Sequence, residues 1–472
     1  MDEQQAAMLL RPEAVPPAAS ELRPATLDPP PPPPVCGSPK APQMADDIQQ
    51  RQRPLPSPPP PSSDRLREPG DRRPSESWPD RKAAQIRRAC RDRDLDSLTE
   101  LATSARGLLS DRLRRDAWPL LLGTRPGPPD GSRPSSSADA DSPPSWSELK
   151  PHHDEDQVRL DVNRSFVYYP NDQSEQQIEK RKEELFDVIA EILRRHPRLC
   201  YFQGYHDIVQ VFLLVLGPRL AVPAVTRLSL LRIRDFMLPS LDAAIAHLNL
   251  LPPILYSIDP ALCKHLRPIQ PFFALPATIT MYAHDIQEYG DIARLFDFLL
   301  AREAVMPLYL FAAIVLARKD ELLKIPDDEP DILHFTLSKL PEPLDIESLI
   351  SSAVDLFAKK PPESLPFGAW RAISPYSVLR TTREPQALTS QTLEEGEELF
   401  VRHEKQIKRA QALKAVAGGI KMGLWRYRRP AGGLAMAVAV GALAWWLGRS
   451  EHGPAYLSTV RQTLSMFLEY YR

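Results

Sequence analysis

Hydrophobic residues between positions 81 and 358 recur with the spacing of amphipathic helices. The clearest case is residues 174–196, where apolar side chains return every three or four positions. Ser174 and Gln177 give this segment the signature of a capping box, and Pro197 ends it. Similar periodicity predicts further helices at 86–102, 111–122, 224–237, 241–251, 289–301, 308–318, 331–340 and 345–358.

Two continuous apolar runs, 208–216 and 304–317, read as buried helices of a soluble core. They are nine and fourteen residues long, interrupted by Gln210 and Pro307, and too short to cross a bilayer. Alternating strand patterns and glycine hairpin signals are missing from the sequence, and no repeat of about 30–45 residues emerges. The pattern therefore predicts an all-α fold that is not a solenoid.

Proline marks the segments that should not fold into this core. The chain has 52 prolines, including an unbroken run from Pro29 to Pro34. Because proline lacks a backbone donor and the first 80 residues hold few bulky apolar side chains, we expect residues 1–80 to be a disordered arm. Residues 125–145 are predicted to be a disordered insertion. Residues 359–388 are expected to form a linker, and 389–416 a charged helix.

The C-terminal region contains a candidate membrane anchor. Residues 430–448 carry no charge and would span about 28 Å as a helix, close to the thickness of the bilayer core. A buried core helix is the alternative. Nine lysines and arginines against one acid between 402 and 429 place the preceding chain in the cytosol by the positive-inside rule. We therefore expect a tail-anchored protein. Residues 359–429 would form the linker and a basic juxtamembrane helix, and residues 449–472 a short lumenal tail.

Charge, cysteines and motifs exclude several functions. The net charge of −2 gives no basic field for nucleic acid, and the four separated cysteines predict reduced thiols without a disulfide or zinc framework. Phosphate-binding loops and the common hydrolase motifs are missing from the sequence. His152 and His153 precede acids at 154–156, but the pattern matches no metal site, so we interpret this stretch as a solvated loop and expect no metal.

Two short segments carry candidate chemistry. Residues 158–164 read VRLDVNR, and one helical turn would place Asp161 beside Arg164. Alone, this pair is more often an ordinary ion pair on a helix surface. Residues 201–207 read YFQGYHD and precede an apolar helix. Alone, they are more often a loop with Asp207 near the helix cap.

Taken together, the two segments resemble the paired I-x-x-D-x-x-R and Y-x-Q-G motifs of TBC-domain Rab GTPase-activating proteins. Residues 113–123, LRRDAWPLLLG, and 294–300, RLFDFLL, are similar to two further elements of that family. The resemblance covers roughly residues 105–358, so 81–358 is expected to be a multi-helical TBC domain.

The resemblance implies a mechanism and a setting. Arg164 would be an arginine finger supplied in trans to a Rab in its GTP form, held by Asp161. Gln203 would orient the attacking water, on a loop shaped by Tyr201 and Gly204. GTP and magnesium would belong to the Rab, so the chain would need no cofactor of its own. The setting would be early secretory traffic, at the endoplasmic-reticulum membrane, with one membrane pass and the catalytic domain in the cytosol.

The sequence also departs from the family pattern and leaves an alternative open. Val158 replaces isoleucine, Tyr205 and His206 stand where Met-Asn-like residues are usual, and Ala277 lies near the place of a missing tryptophan. The alternative function is a membrane-tethered, non-catalytic adaptor that binds a Rab or, through the prolines at 29–34 and 54–61, an SH3-type partner.

Overall fold

Helices and turns make up the part of the chain that the structure, a computed structural model, describes. That part comprises residues 77–124, 145–170, 173–449 and 462. No strand occurs within these ranges, so the predicted all-α fold is confirmed. Three predicted segments lie almost wholly outside the described residues. They are the arm at 1–80 apart from its last four residues, the insertion at 125–145 apart from Ser145, and the tail at 449–472 apart from Arg449 and Gln462.

The helices are numbered here in chain order. They are α1 Trp78–Asp92, α2 Leu95–Thr103, α3 Asp111–Leu121, α4 Glu155–Asn163, α5 Glu175–Arg195, α6 Tyr205–Leu216, α7 Pro218–Leu231, α8 Asp242–Leu248, α9 Leu251–Ile258, α10 Pro260–His265, α11 Leu275–Ile279, α12 Tyr289–Ala301, α13 Met306–Ala317, α14 Lys319–Leu322, α15 Pro330–Ser338, α16 Ile346–Lys359, α17 Ala369–Ala372, α18 Val378–Thr381, α19 Pro385–Ser390 and α20 Leu393–Arg449.

Helix boundaries follow local chemistry. The capping box before α5 is present: the Ser174 hydroxyl accepts from the backbone of Gln177, whose side chain accepts from the backbone of Ser174. The single helix predicted at 86–102 is wrong, because Arg93 adopts a left-handed φ of 54° and Asp94 caps a second helix. A capping residue such as aspartate can end one helix and start the next, while the spacing of apolar residues along the sequence stays regular.

Helices α6 and α13, which contain the two apolar runs, lie inside the core, as the lengths of those runs predicted. Most residues of both helices are buried. Helix α13 packs along α16 and contacts α9, while α6 contacts α3, α5 and α7. Packing against these helices fixes the position of α6, and the candidate site lies at its start.

A fully buried carboxylate, Asp297 of α12, joins the two outer segments of the family resemblance. It accepts hydrogen bonds from the Arg114 guanidinium at 3.0 Å, the Trp118 indole at 2.9 Å and the Leu108 backbone at 2.9 Å. Gly107 has φ of +49°, and a Cβ there would lie 2.5 Å from the same carboxylate. Buried charge is tolerated only when it is paired and hydrogen-bonded in this way.

We expect Asp297→Ala to lower the free energy of unfolding by about 3–5 kcal/mol. The buried Arg114 guanidinium would keep only its ion pair with the partly exposed Asp111, and the Trp118 indole and the Leu108 N–H would lose their acceptor. Urea unfolding followed by circular dichroism measures the loss. The matched control is Asp291→Ala, an exposed aspartate of the same helix, which should change stability by less than about 0.5 kcal/mol. Equal unfolding midpoints for the two variants would contradict the prediction.

The segment after residue 358 is not the linker that its prolines suggested. Ile373, Val378 and Phe400 are buried in the core, and the Arg227 guanidinium of α7 donates to the carbonyls of Leu388 and Gln391. Short helical turns that dock on a core carry little periodicity of their own, so their packing is decided by tertiary contacts.

The charged helix expected at 389–416 is part of α20, which is 57 residues long and begins against α7. At Gly396 a Cβ would lie 2.8 Å from a Leu231 methyl group, so the glycine permits this close approach. Among the helices that the structure describes, none combines the length and the apolar character that a membrane crossing requires. The anchor at 430–448 therefore stays a prediction.

Candidate functional site

Arg164 lies at the C-terminal end of α4 with two-thirds of its side chain exposed. Its Nη2 donates to Oδ1 of Asp161 at 2.5 Å, three residues earlier on the same helix. The exposed side chain of Arg164 is thus held at its base by a carboxylate while its outer surface faces solvent. A guanidinium held in this way loses less rotational freedom when it binds an anion.

The turn after Arg164 is fixed from the core. Phe166 has a left-handed φ of 62°, and its backbone N–H donates to Oε1 of Gln210 at 3.0 Å. In the sequence pattern, Gln210 is only an interruption of the apolar run 208–216. A polar side chain inside a buried run must find a partner, and that signal in the sequence could have identified it.

Asp161 joins the two candidate segments. It is fully buried, so the interpretation as an ordinary surface ion pair is wrong. Oδ1 accepts from Arg164 and from Gln157, the latter at 3.1 Å. Oδ2 accepts from the Tyr201 hydroxyl at 2.9 Å, across forty residues of sequence. The structure therefore brings Arg164, Asp161 and Tyr201 into one hydrogen-bonded unit.

The turn that carries Gln203 is shaped by close packing. Gly204 has φ of +96°, and a Cβ there would lie 2.5 Å from the Thr280 methyl group. The backbone N–H of Tyr201 donates to Oδ2 of Asp154 at 2.9 Å. Gln203 is exposed at the tip, and among the described residues no hydrogen bond is found for its amide. The amide of Gln203 is therefore available to a partner.

Polar contacts continue beyond Tyr201 into the first turn of α6. The Tyr201 hydroxyl lies 2.9 Å from Nδ1 of His206, whose Nε2 lies 3.3 Å from Oδ1 of Asp207. The other oxygen of Asp207 lies 3.0 Å from Nδ1 of His284. Gly204 occupies the cap position, and Asp207 lies near it in the first turn of α6, as predicted. The Asp207 carboxylate faces the two histidines there.

These contacts shift several pKa values. Burial, together with the Asp161 carboxylate, raises the pKa of Tyr201, so its hydroxyl keeps its proton. Burial lowers the pKa of His206, although Asp207 and Asp161 oppose the effect. The hydrogen bond to Asp207 raises the pKa of His284. The Tyr201 hydroxyl therefore acts as a neutral donor toward Asp161.

The stretch around His152 is not the solvated loop that its polarity suggested. The His152 side chain is buried, and its Nδ1 accepts from the backbone of Asp154 at 3.2 Å. One nitrogen of His152, one of His153 and an oxygen of Asp154 lie within 4.8 Å of one another. Because Asp154 also receives the Tyr201 N–H, the stretch supports the glutamine turn.

Two of the departures from the family pattern are accommodated by the core. Val158 is fully buried in α4, and Ala277 is buried in α11. Both positions therefore hold apolar side chains inside the core. The third departure is the pair Tyr205 and His206: the Tyr205 hydroxyl lies 2.7 Å from the Ser229 hydroxyl, and His206 lies beside Tyr201.

Comparisons with known proteins show which family the chain resembles. Residues 111–323 match the sequence profile described as the Rab-GTPase-TBC domain. The chain is 40% identical over 290 residues to "TBC1 domain family member 20" of Bos taurus, covering 60% of this chain and 69% of that relative. The Homo sapiens protein of that name is 40% identical over 292 residues, with the same coverage.

A fungal relative extends the agreement. The chain is 32% identical over 305 residues to "GTPase-activating protein gyp10" of Schizosaccharomyces pombe, covering 64% of this chain and 78% of that protein. The matched region includes α3, which bonds to Asp297, and both segments that meet at Asp161. The chain therefore belongs to the Rab-GTPase-TBC domain family.

Proposed function

We propose that this chain accelerates GTP hydrolysis on a Rab GTPase by inserting Arg164 and Gln203 in trans. The observation that carries the proposal is the buried Asp161 carboxylate, which bonds the exposed arginine and the tyrosine of the glutamine turn at once. Two exposed polar side chains on two segments that one carboxylate joins can enter a partner's nucleotide site together.

The side chains of Arg164 and Gln203 can supply two things that a slow GTPase lacks: positive charge at the phosphate oxygens and a group that positions the attacking water. A positive guanidinium stabilises the charge that develops on the phosphate oxygens during phosphoryl transfer, and an arginine finger raises the rate by about 10³–10⁵-fold. The carboxamide of Gln203 has a donor and an acceptor, which can hold a water in line with the γ-phosphate. GTP and Mg²⁺ are bound by the Rab in this proposal, and the chain contributes no cofactor.

The experiment is a GTP-hydrolysis assay of the full chain against a panel of purified Rabs, including those of early secretory traffic. Stimulation of one or a few Rabs supports the proposal, and the Rab with the highest kcat/KM names the substrate. The adaptor alternative predicts binding without stimulation. It also predicts that deleting residues 1–80 abolishes the cellular function while Arg164→Ala leaves it intact.

We further propose that residues 430–448 anchor the chain in the endoplasmic-reticulum membrane, with the helical domain in the cytosol. The support is the uncharged run of nineteen residues and the basic stretch that precedes it. Deleting 430–472 should move the protein to the soluble fraction on cell fractionation. Deleting only 449–472 is the matched control and should leave it in the membrane pellet; pelleting of both variants would contradict the anchor.

A further inference from the structure

His206 is the second residue of α6, and its imidazole is buried between the two segments of the site. Its Nδ1 faces the Tyr201 hydroxyl at 2.9 Å, and its Nε2 faces Asp207 at 3.3 Å. Its Nδ1 is 4.0 Å from the Asp161 carboxylate. The ring therefore lies one hydrogen bond away from the group that holds Arg164.

The direction of each hydrogen bond follows from donor and acceptor counts. An ionised Asp161 can only accept, so the single proton of the Tyr201 hydroxyl is donated to it. The lone pairs of that hydroxyl remain, and they face Nδ1 of His206. For this 2.9 Å contact to be a hydrogen bond, Nδ1 must carry a proton and donate it to Tyr201. The geometry thus selects the form of His206 that is protonated at Nδ1.

We propose that His206 is a positioning residue for the two fingers: its Nδ1–H orients the Tyr201 hydroxyl toward Asp161 and so fixes Arg164 and the Gln203 turn in one geometry. This inference rests on the proposed Rab GTPase-activating function. His206 touches neither finger, and its effect passes through Tyr201. The Asp207 carboxylate, bonded in turn to His284, lies 3.3 Å from Nε2 on the opposite side of the ring. It can accept from the ring only when Nε2 carries a proton in addition to the one on Nδ1.

Substitutions at His206 separate this role from simple packing. His206→Leu fills similar space without a donor, and it should lower the kcat of stimulated hydrolysis about tenfold, as loss of an orienting partner does. The KM for the Rab should stay within about twofold of wild type, since the docking surface is unchanged. His206→Asn places an amide nitrogen where Nδ1 stands and should restore kcat to within about threefold of wild type.

A double-mutant cycle with Tyr201 tests the route of the effect. Tyr201→Phe removes the hydroxyl, so adding His206→Leu to it should cause no further loss of kcat. The matched control is His247→Leu, which removes another buried histidine; His247 lies in α8, and its Nε2 is 2.8 Å from the Asp235 carboxylate. It should lower the midpoint of thermal unfolding while leaving kcat per folded molecule unchanged. Additive losses in the cycle, or no rescue by His206→Asn, would overturn the proposal.

A measurement without any Rab keeps the inference independent of the proposed function. Long-range ¹⁵N–¹H correlation on the full chain, labelled at histidine, reports which ring nitrogen carries the proton. The His206→Asn spectrum identifies the signal. We expect a proton on Nδ1 that exchanges faster with solvent in Tyr201→Phe. A ring protonated only at Nε2 would overturn the inference, whereas a wild-type chain that stimulates no Rab would overturn the proposed function alone.

Discussion

Arg164→Ala is expected to lower the stimulated rate of Rab GTP hydrolysis by about 10³–10⁵-fold, the range attributed to an arginine finger. Alanine removes the exposed positive charge that Asp161 holds at this end of α4. The measurement is single-turnover phosphate release from a GTP-loaded Rab over a range of chain concentrations. The loss should fall on kcat, because the guanidinium acts in the transition state more than in the complex.

Arg164→Lys should recover only a small part of this loss. A lysine ammonium is a single point charge, so it cannot donate to Asp161 and to phosphate oxygens through a planar fork. The matched control is Arg159→Ala on the same helix, because the Arg159 guanidinium lies over the Phe186 ring, 4.0 Å from its centroid. That variant should stay within about twofold of wild type. Wild-type rates for Arg164→Ala would exclude the finger.

Gln203→Ala is expected to lower kcat by about 10²–10³-fold, as loss of one transition-state contact does in other enzymes. The alanine cannot orient the attacking water, while Gly204 still holds the turn in its conformation. The same single-turnover assay measures the effect, with Gln176→Ala as an exposed-glutamine control at the start of α5. Because both fingers act in one transition state, combining Arg164→Ala with Gln203→Ala should cost less than the product of the two losses.

Different effects of Arg164→Ala and Gln203→Ala on kcat would separate the roles of the two residues. If Gln203→Ala keeps wild-type kcat while Arg164→Ala loses it, the Rab's own residues position the water, and the assignment of Gln203 is wrong. Binding of the GTP-loaded Rab to both variants should be retained. Loss of binding would instead assign a docking role to the substituted residue.

Sequence periodicity predicted most of the helical core because a helix that buries one face has apolar residues every three or four positions. Helix α5 shows both this spacing and a capping box. The break at Arg93 and the docking of Ile373 and Phe400 escaped prediction, since a local backbone reversal or a short docked turn leaves no period. Tertiary contacts override local propensity at such places.

The candidate site was predictable in its residue types but not in its connections. Motif resemblance singled out Arg164, Asp161, Tyr201, Gln203 and Gly204, and spacing alone suggested the Asp161–Arg164 pair. That Asp161 is buried and also bonds Tyr201 depends on how α4 meets the turn before α6, which spacing along the chain cannot reveal. His206 and Gln210 escaped notice as functional for the same reason.

The buried carboxylate of Asp297 also sets an order of events while the chain is being made. Its partner Trp118 is 179 residues earlier in the sequence. At about 5–20 residues per second, a ribosome needs on the order of 9–36 s to synthesise the interval. Through that time Arg114 and Trp118 lack their acceptor, and closure of so long a loop carries an entropic cost that later packing must offset. A nascent chain stopped before α12 would therefore expose the face of α3 that packs on α12, the kind of surface that chaperones recognise.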